Sequence, residues 1–598
     1  MYNYKARPPE ETIRLIRSIL DKNGIKTEVK QFRYNNYLYS CRVYITNGKL
    51  GQYNLGCNGK GITKEYALAS GYAELMERIQ NHVIGYEGQK YAVESFQRQQ
   101  LFKKLPFQEQ TGCPLKFLLF PDETIIIEKS QKVKELLTFI YPGAQNFKSP
   151  KTLCEKKFSV IYVNMYNLTS KKVSQMPIEL MRYLSDSTGM CSGNNPTEAI
   201  LQGICEICER YILQLIYLKK VRFPLYEANS LSDETKSLLM MLGNKGYDFR
   251  IINCSLGGKF PVIGLLVVKN TGENCLYSFR LGSDINPDVA LKRCITEIFQ
   301  GVNYDEEISL WEERKDFYPL YEYHKSLVNG SGIVSLDMFN LNQSSDMYFE
   351  DVDISSRKGT LLSVIEHFKN MGINFWARDN SYLDFPAYYV YSPQLSPVSD
   401  YLRPQIPFIY FQSCTEAFFN INPKYHICDN LSKMEIGHLC SFLEMNIGKE
   451  LMLHPYRIKG ENNYYNAFLL LMALKMANGE YKDVFNMIET AHKYLYIDEQ
   501  YYNTLKTALE LAAKGCTEHI IRSYIKELDD LESVSDIIAD LFEKKHSLSN
   551  YKTFTLNNLF VEESVYFDWI KVQAKIANAF LTKKIEQSKI MNTILQSD

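Results

Sequence analysis

The sequence of 598 residues predicts an α+β fold over residues 1–430, followed by an all-α helical domain over residues 431–598. Three observations carry that expectation. Strand-like and helix-like segments alternate up to about residue 430 without a regular βαβ repeat, which argues against a Rossmann-type array. Beyond that point the strand signal fades, and Ala-, Leu- and Tyr-rich periodic segments replace it. Twice, a glycine-bearing turn leads into a long helix that mixes acids and arginines with apolar residues.

The elements follow in order. Arg7-Pro8-Pro9-Glu10-Glu11, with Ile13, Leu15, Ile16 and Ile19 behind it, reads as a helix start. Residues 37–46 are rich in β-formers and read as a strand. The glycine-rich segment up to Gly61 reads as a turn, and a long helix is expected from near Thr63. A strand is expected at 158–167. The second turn, Ser187 to Asn195, leads into a helix with Pro196 suited to its first turn. Further strands are expected at 249–254, 261–268 and 387–392, and a helix from Pro287. Residues 463–545 read as helices with a turn at Asn478-Gly479, either as tetratricopeptide-like pairs or as a plain bundle. Tyr464-Tyr465 and Tyr501-Tyr502 are expected to pack between helices.

Composition narrows the function classes. The formal charge of −1 and the lack of a Lys/Arg block give no signal for nucleic acid. No run of 18 apolar residues occurs, so no membrane span is expected. The N-terminus has no apolar signal core, and the 14 scattered cysteines suit reduced thiols, so a cytoplasmic location is expected.

The chemistry concentrates in a repeated pattern. Glu-x-x-Glu-Arg occurs as Glu74, Glu77, Arg78 and again as Glu206, Glu209, Arg210, and a third helix carries Arg293 and Glu297. At about 100° per residue, Glu198, Gln202, Glu206 and Glu209 fall on one helical stripe roughly 80° wide, with Asn194 just before it. One such motif alone is ordinarily a solvated face with i,i+4 ion pairs. Here the neighbours are Ile200, Ile204, Cys205, Ile207 and Cys208, so the helix is expected to be largely buried. Carboxylates in that setting need compensation from arginines, water or metal ions. Oxygen ligands from several helices suit Mg²⁺, and Arg78, Arg210 and Arg293 suit phosphate oxygens. The pattern suits a triphosphate site without a Walker loop. Gly59-Lys60-Gly61 fails as a P-loop, because Asn54 stands at the first glycine and Gly61 replaces Ser/Thr. Cys205-x-x-Cys208 has no second pair and reads as packing thiols. Among the nine histidines, His82 alone lies near the pattern.

These segments resemble the signatures of YcaO proteins: GKGITKEYALASGYAELMER the first, TGMCSGNNPTEAILQGICEICER the second, DINPDVALKRCITEIFQG the third. SLGGKFPVIGLLVV resembles the stretch before the third in long, free-standing members, which carry a helical, tetratricopeptide-like extension. The resemblance implies a YcaO-type domain that binds ATP with Mg²⁺. It implies metal-side acids at Glu74, Glu77, Glu206, Glu209 and Glu297. It implies nucleotide contacts from Ser70, Arg78, Asn194, Glu198, Gln202, Arg210 and Arg293, and from Lys5 and Thr12, which keep the family's seven-residue spacing with Thr in place of Ser. The implied activity is ATP-dependent phosphorylation of a peptide-backbone amide, leading to an azoline or a thioamide; the implied partners are a peptide or protein substrate, a sulfur-delivery or leader-binding protein, and a second copy of the chain. The chain ends MNTILQSD, without a proline-rich tail, and no leader-binding domain precedes Lys5. Both features weaken a stand-alone azoline synthase and leave room for thioamidation with a partner, or for an ATP-binding accessory role in ribosomal-protein methylthiolation.

Overall fold

Helix α1 (Pro9–Lys22) starts where its sequence allows: Pro9 lies in the first turn, where no amide donor is needed, and Glu10 and Glu11 sit at the positive end of the helix dipole. Its buried face is Ile13, Ile16, Ile19 and Leu20. The computed structural model describes residues 5–81, 121–142, 157–398, 471–543 and 568–596, with short internal breaks. After α1, strands β1 (Thr27–Arg33), β2 (Tyr39–Ile45) and β3 (Gly56–Gly61) form an antiparallel sheet in that order. Helix α2 (Lys64–Gln80) leaves β3 through Thr63, whose hydroxyl accepts the Tyr66 N–H at 3.2 Å.

The segment expected as a glycine-rich turn is therefore a strand. Its glycines serve approach, not bending. A Cβ on Gly59 would run into the Ala67 carbonyl of α2, and one on Gly71 would press on Val43 at 2.9 Å. Glycine in a strand interior often marks such close passage of another backbone.

The other strands are β4 (Thr124–Lys129), β5 (Lys157–Asn167), β6 (Val173–Pro177), β7 (Met190–Ser192), β8 (Phe223–Tyr226), β9 (Asp248–Asn253), β10 (Val262–Asn270), β11 (Cys275–Ser283), β12 (Trp311–Glu312), β13 (Phe339–Ser345), β14 (Trp376–Asp379) and β15 (Ala387–Tyr391). They form two six-stranded sheets, one ordered β4-β5-β14-β15-β7 with β6 paired to β5, the other β12-β11-β10-β9-β8-β13. Among the described residues only β8 and β13 pair in parallel. The helices between them include α3 (Ser130–Ile140), α4 (Ile178–Ser185), α5 (Pro196–Gln214), α6 (Asp233–Asn244), α7 (Pro287–Ile298) and α8 (Arg357–Asn370).

Helix α5 lies between the two large sheets, against β7 and β15 on one side and β10 and β11 on the other. Coverage on both sides explains why it is apolar nearly all round. Ile200, Ile204, Ile207 and Ile212 are fully buried in a core shared with Leu265, Val267, Leu291 and Ile295. Among the described residues no helix is long and apolar enough to cross a membrane.

The C-terminal part divides in two. Tyr481–Ala491, Glu499–Ala513, Glu518–Ile525 and Leu531–Ile538 are helices with their own core, in which Tyr501 and Tyr502 are buried. The described residues between 572 and 594 go elsewhere. Val572, Ile576 and Phe580 fill the core beneath α1 and the three-stranded sheet, and Ile590, Met591 and Ile594 join the core around α5. Phe580 stacks on Tyr382 at 4.9 Å, and Gln587 bonds both backbone groups of Asp379. Periodicity marks a helix but does not say where its apolar face docks. Tyr464 and Tyr465 lie outside the described residues.

Candidate active site

Three helices present their polar stripes to one cavity because each docks on a strand through a glycine. For α2 the contact is Gly59 with Gly71. For α5 it is Gly203, where a Cβ would meet the Cys191 sulfur of β7 at 2.8 Å. For α7 it is Gly282 of β11, where a Cβ would strike the Ala290 carbonyl. Asn195 and Asn286 cap α5 and α7, accepting the N–H groups of Glu198 and Asp288.

The cavity measures about 1900 Å³. Helix α2 contributes Ser70, Glu74, Glu77 and Arg78; α5 contributes Glu198, Gln202, Glu206, Glu209 and Arg210; α7 contributes Arg293 and Glu297. Lys5 and Thr12 come from the N-terminal segment and Asn194 from the loop before α5. All fourteen residues singled out in the sequence line this one space, and none is turned to bulk solvent.

Four of them form a hydrogen-bonded network. The Glu198 carboxylate, only 7% exposed, accepts from Lys5 Nζ at 2.9 Å and from the Ala6 N–H at 2.9 Å. Asn194 Nδ2 reaches the same carboxylate at 3.3 Å, and Thr12 donates to Asn194 Oδ1 at 2.6 Å. Burial alone would push Glu198 up; the Lys5 ammonium and the Ala6 N–H outweigh it and hold the carboxyl below its ordinary range.

The other acids face cations. Arg78 lies 3.6 Å from Glu74 and 3.7 Å from Glu77, and Arg210 lies 4.0 Å from Glu206. Glu206 also accepts the Gly189 N–H at 3.2 Å. Burial pushes Glu77 well up and Glu206 up as well, with Arg78 and Arg210 opposing. Arg293 pairs with Asp284 at 3.1 Å.

Sequence reasoning passed over Lys60, weighed only as a failed P-loop lysine. Its ammonium pairs with Glu297 inside the cavity. Burial lowers its pKa to about 8, against the pull of Glu209 and Glu74. The available signal was its position as the sole charge in a short, glycine-rich strand. Asp284 was passed over too; it precedes the third helix within the segment singled out there. His82 lies outside the described residues. Cys205 and Cys208 are buried thiols, as packing residues should be.

The donor set fits Mg²⁺ with a triphosphate. Every acid offers oxygen, the ligand that this hard ion takes. Among the described residues nine acids and eight Lys/Arg line the cavity, so a triphosphate would need added cations to enter. Among the described residues no three His, Cys, Asp or Glu side chains gather around one point. Mg²⁺ does not require that, since it is usually held by one or two carboxylates plus phosphates and water.

Comparison with known proteins agrees with this chemistry. The family model described as YcaO cyclodehydratase, ATP- and Mg²⁺-binding, matches residues 58–396. An uncharacterized protein of Haemophilus influenzae is 25% identical over 363 residues, 57% of each chain. The ribosomal protein S12 methylthiotransferase accessory factor YcaO of Escherichia coli is 25% identical over 306 residues, 50% of each chain. The chain thus spans about half the length of these curated relatives. The structure of YcaO from Methanopyrus kandleri bound with AMPPCP and Mg²⁺ aligns with 66% of this chain and 94% of its own, at 17% identity and a TM-score of 0.39.

Proposed function

The chain belongs to the YcaO family, and we propose that it is an ATP- and Mg²⁺-dependent enzyme that activates a peptide-backbone amide by phosphorylation. The products would be a thioamide or an azoline in a peptide or protein. The observation that supports this most is the convergence of the fourteen acid, arginine and polar side chains on one cavity.

In this reading Glu74, Glu77, Glu206, Glu209 and Glu297 hold the metal. Lys5, Thr12, Ser70, Arg78, Asn194, Glu198, Gln202, Arg210 and Arg293 hold the nucleotide. When bound, Mg·ATP supplies the phosphoryl group that turns the oxygen of the nucleophile–amide adduct into phosphate, a far better leaving group. The chain contributes position and charge. Arg78, Arg210 and Arg293 reach from three different helices, so a triphosphate held between them is fixed in orientation. The Glu198 network ties the N-terminal segment to the cavity. The volume is about twice the upper end of an ordinary ligand pocket, which leaves room for a peptide beside the nucleotide. A sulfur-delivery or leader-binding protein and a homodimeric state belong to the same proposal.

The test is calorimetric and chemical. Wild-type protein binds ATP in the presence of Mg²⁺, and Glu206→Gln weakens that binding by at least about tenfold. With a competent peptide, phosphate is released and the mass shows either loss of water, for a ring, or exchange of oxygen for sulfur. Normal ATP binding by Glu206→Gln would overturn the site assignment. The name of the Escherichia coli relative and the separate helical core at 476–541 favour one second reading, an ATP-binding accessory factor that docks a partner enzyme. Mg·ATP binding without phosphate release, together with a stable protein partner, would select it.

A further inference from the structure

Arg280 differs from the other enclosed cations of the cavity. Lys5, Lys60, Arg78, Arg210, Lys292 and Arg293 each face a carboxylate within 4.0 Å. Arg280 lines the same cavity but has no acid partner among the described residues. Its Nη1 donates to the Phe279 carbonyl at 2.9 Å, one residue back, and its electrostatic neighbour is the phenol of Tyr217, not a carboxylate. It therefore stands outside the ion pairs that hold the other cations.

Its surroundings differ in kind as well. On β11, Arg280 shares a strand face with Gly282, the face that α7 covers. Tyr217 stands on a π-helical turn, Leu215–Lys219, that continues α5. Such turns are rare and are frequent at functional sites. The Tyr217 hydroxyl and Ser326 Oγ are hydrogen-bonded at 2.8 Å; the buried Glu322 carboxylate acts on the same phenol but is engaged by the Ile333 N–H, and Leu213, Leu327 and Val334 supply apolar lining to the cavity. An enclosed guanidinium without an anion carries a desolvation cost that a bound anion would offset. Burial lowers the pKa of Arg280, whereas that of acid-flanked Arg78 is raised.

We propose that Arg280 anchors a second subsite, in which a carboxylate of the peptide substrate binds the guanidinium beside the wall of Tyr217, Leu327 and Val334; this rests on the functional reading above. A carboxylate matches the guanidinium in a two-point hydrogen-bonded geometry. Its source is an acidic side chain or a free C-terminus. The substrate class is thus a peptide with a carboxylate close to the amide that is modified.

The test uses the full chain with Mg²⁺ and a non-hydrolysable ATP analogue. Three peptides are titrated: acetyl-Leu-Gly-Asp-amide, acetyl-Leu-Gly-Asn-amide, and acetyl-Leu-Gly-Asn with a free C-terminus. At least one carboxylate-bearing peptide binds about tenfold more tightly than the neutral one, in line with a charge-assisted pair. Which one it is identifies the source. Arg280→Met removes that margin, Arg280→Lys keeps part of it, and both bind Mg·ATP like the wild type. Equal binding of all three peptides by a wild-type chain that binds Mg·ATP overturns the subsite alone. So does a margin that survives Arg280→Met, or a loss of Mg·ATP affinity in that variant, which would make Arg280 a phosphate contact. A wild-type chain that does not bind Mg·ATP overturns the functional reading and the subsite with it.

Discussion

Replacing Glu198 by Gln should release the N-terminal segment from the cavity. The carboxylate accepts from the Lys5 ammonium and the Ala6 N–H, each at 2.9 Å, from a position only 7% exposed. Glutamine keeps one carbonyl acceptor and turns its NH₂ group toward one of these two donors. One bond is lost and the other loses the charge of its acceptor. A hydrogen bond to a charged group contributes about 1.5–3 kcal/mol, and the 27% exposure of the Lys5 side chain calls for a discount. The net loss is about 2 kcal/mol, which corresponds to roughly 30-fold more frequent opening of the segment. Hydrogen exchange at the Ala6 amide reads this directly, with calorimetry of Mg·ATP binding beside it. The clamp also depends on pH in a definite sense. Glu198 has a lowered folded pKa, so its contribution is complete above the unfolded carboxylate range and is lost as pH falls through the folded value. Ala6 exchange that is unchanged in Glu198→Gln, at neutral pH and at pH 4 alike, would refute the reasoning.

Three further outcomes follow from the same geometry. Gly282→Ala puts a methyl group into the Ala290 carbonyl, so α7 must shift; a loss of about 1–3 kcal/mol in thermal or denaturant melts is expected, and an unchanged melting temperature would contradict the contact. Glu77 has a raised folded pKa, so without divalent ions it lowers stability as pH rises from the unfolded carboxylate range through the folded value; Glu77→Gln should flatten that decline and raise the melting temperature at pH 7.5, while weakening Mg²⁺ binding. Lys60, with its pKa near 8, should be acetylated by acetic anhydride at pH 8 faster than exposed Lys236 and be protected by Mg·ATP; peptide mass mapping that ranks Lys236 first would count against it.

The elements that carry the site were legible because local rules fix them. Pro9, Pro196 and Pro287 announce three helices, and the spacing of Glu74, Glu77 and Arg78 or of Glu206, Glu209 and Arg210 puts their polar atoms on one stripe. What stayed hidden depends on partners remote in sequence. Gly59 and Gly61 read as a turn because glycine tolerates bending, yet they lie in β3 to let α2 come close. Met190, Cys191 and Ser192 read as part of a turn, and become β7 only because β15, some 200 residues on, offers them backbone partners. Lys60 gained its meaning from Glu297 on a helix distant in sequence. The docking of Val572, Ile576, Phe580, Ile590 and Ile594 could not be read from their own spacing, since several apolar surfaces compete for such side chains.

That docking bears on how the molecule is made. Synthesis delivers the N-terminal segments first, and they fold as units when their contacts are at hand. Here α1 and its sheet wait for Phe580, and the interior around α5 waits for Ile594, each several hundred residues further along the chain. The nascent chain therefore carries an unfinished interior until those residues have been made, and the returning segment acts as a keystone.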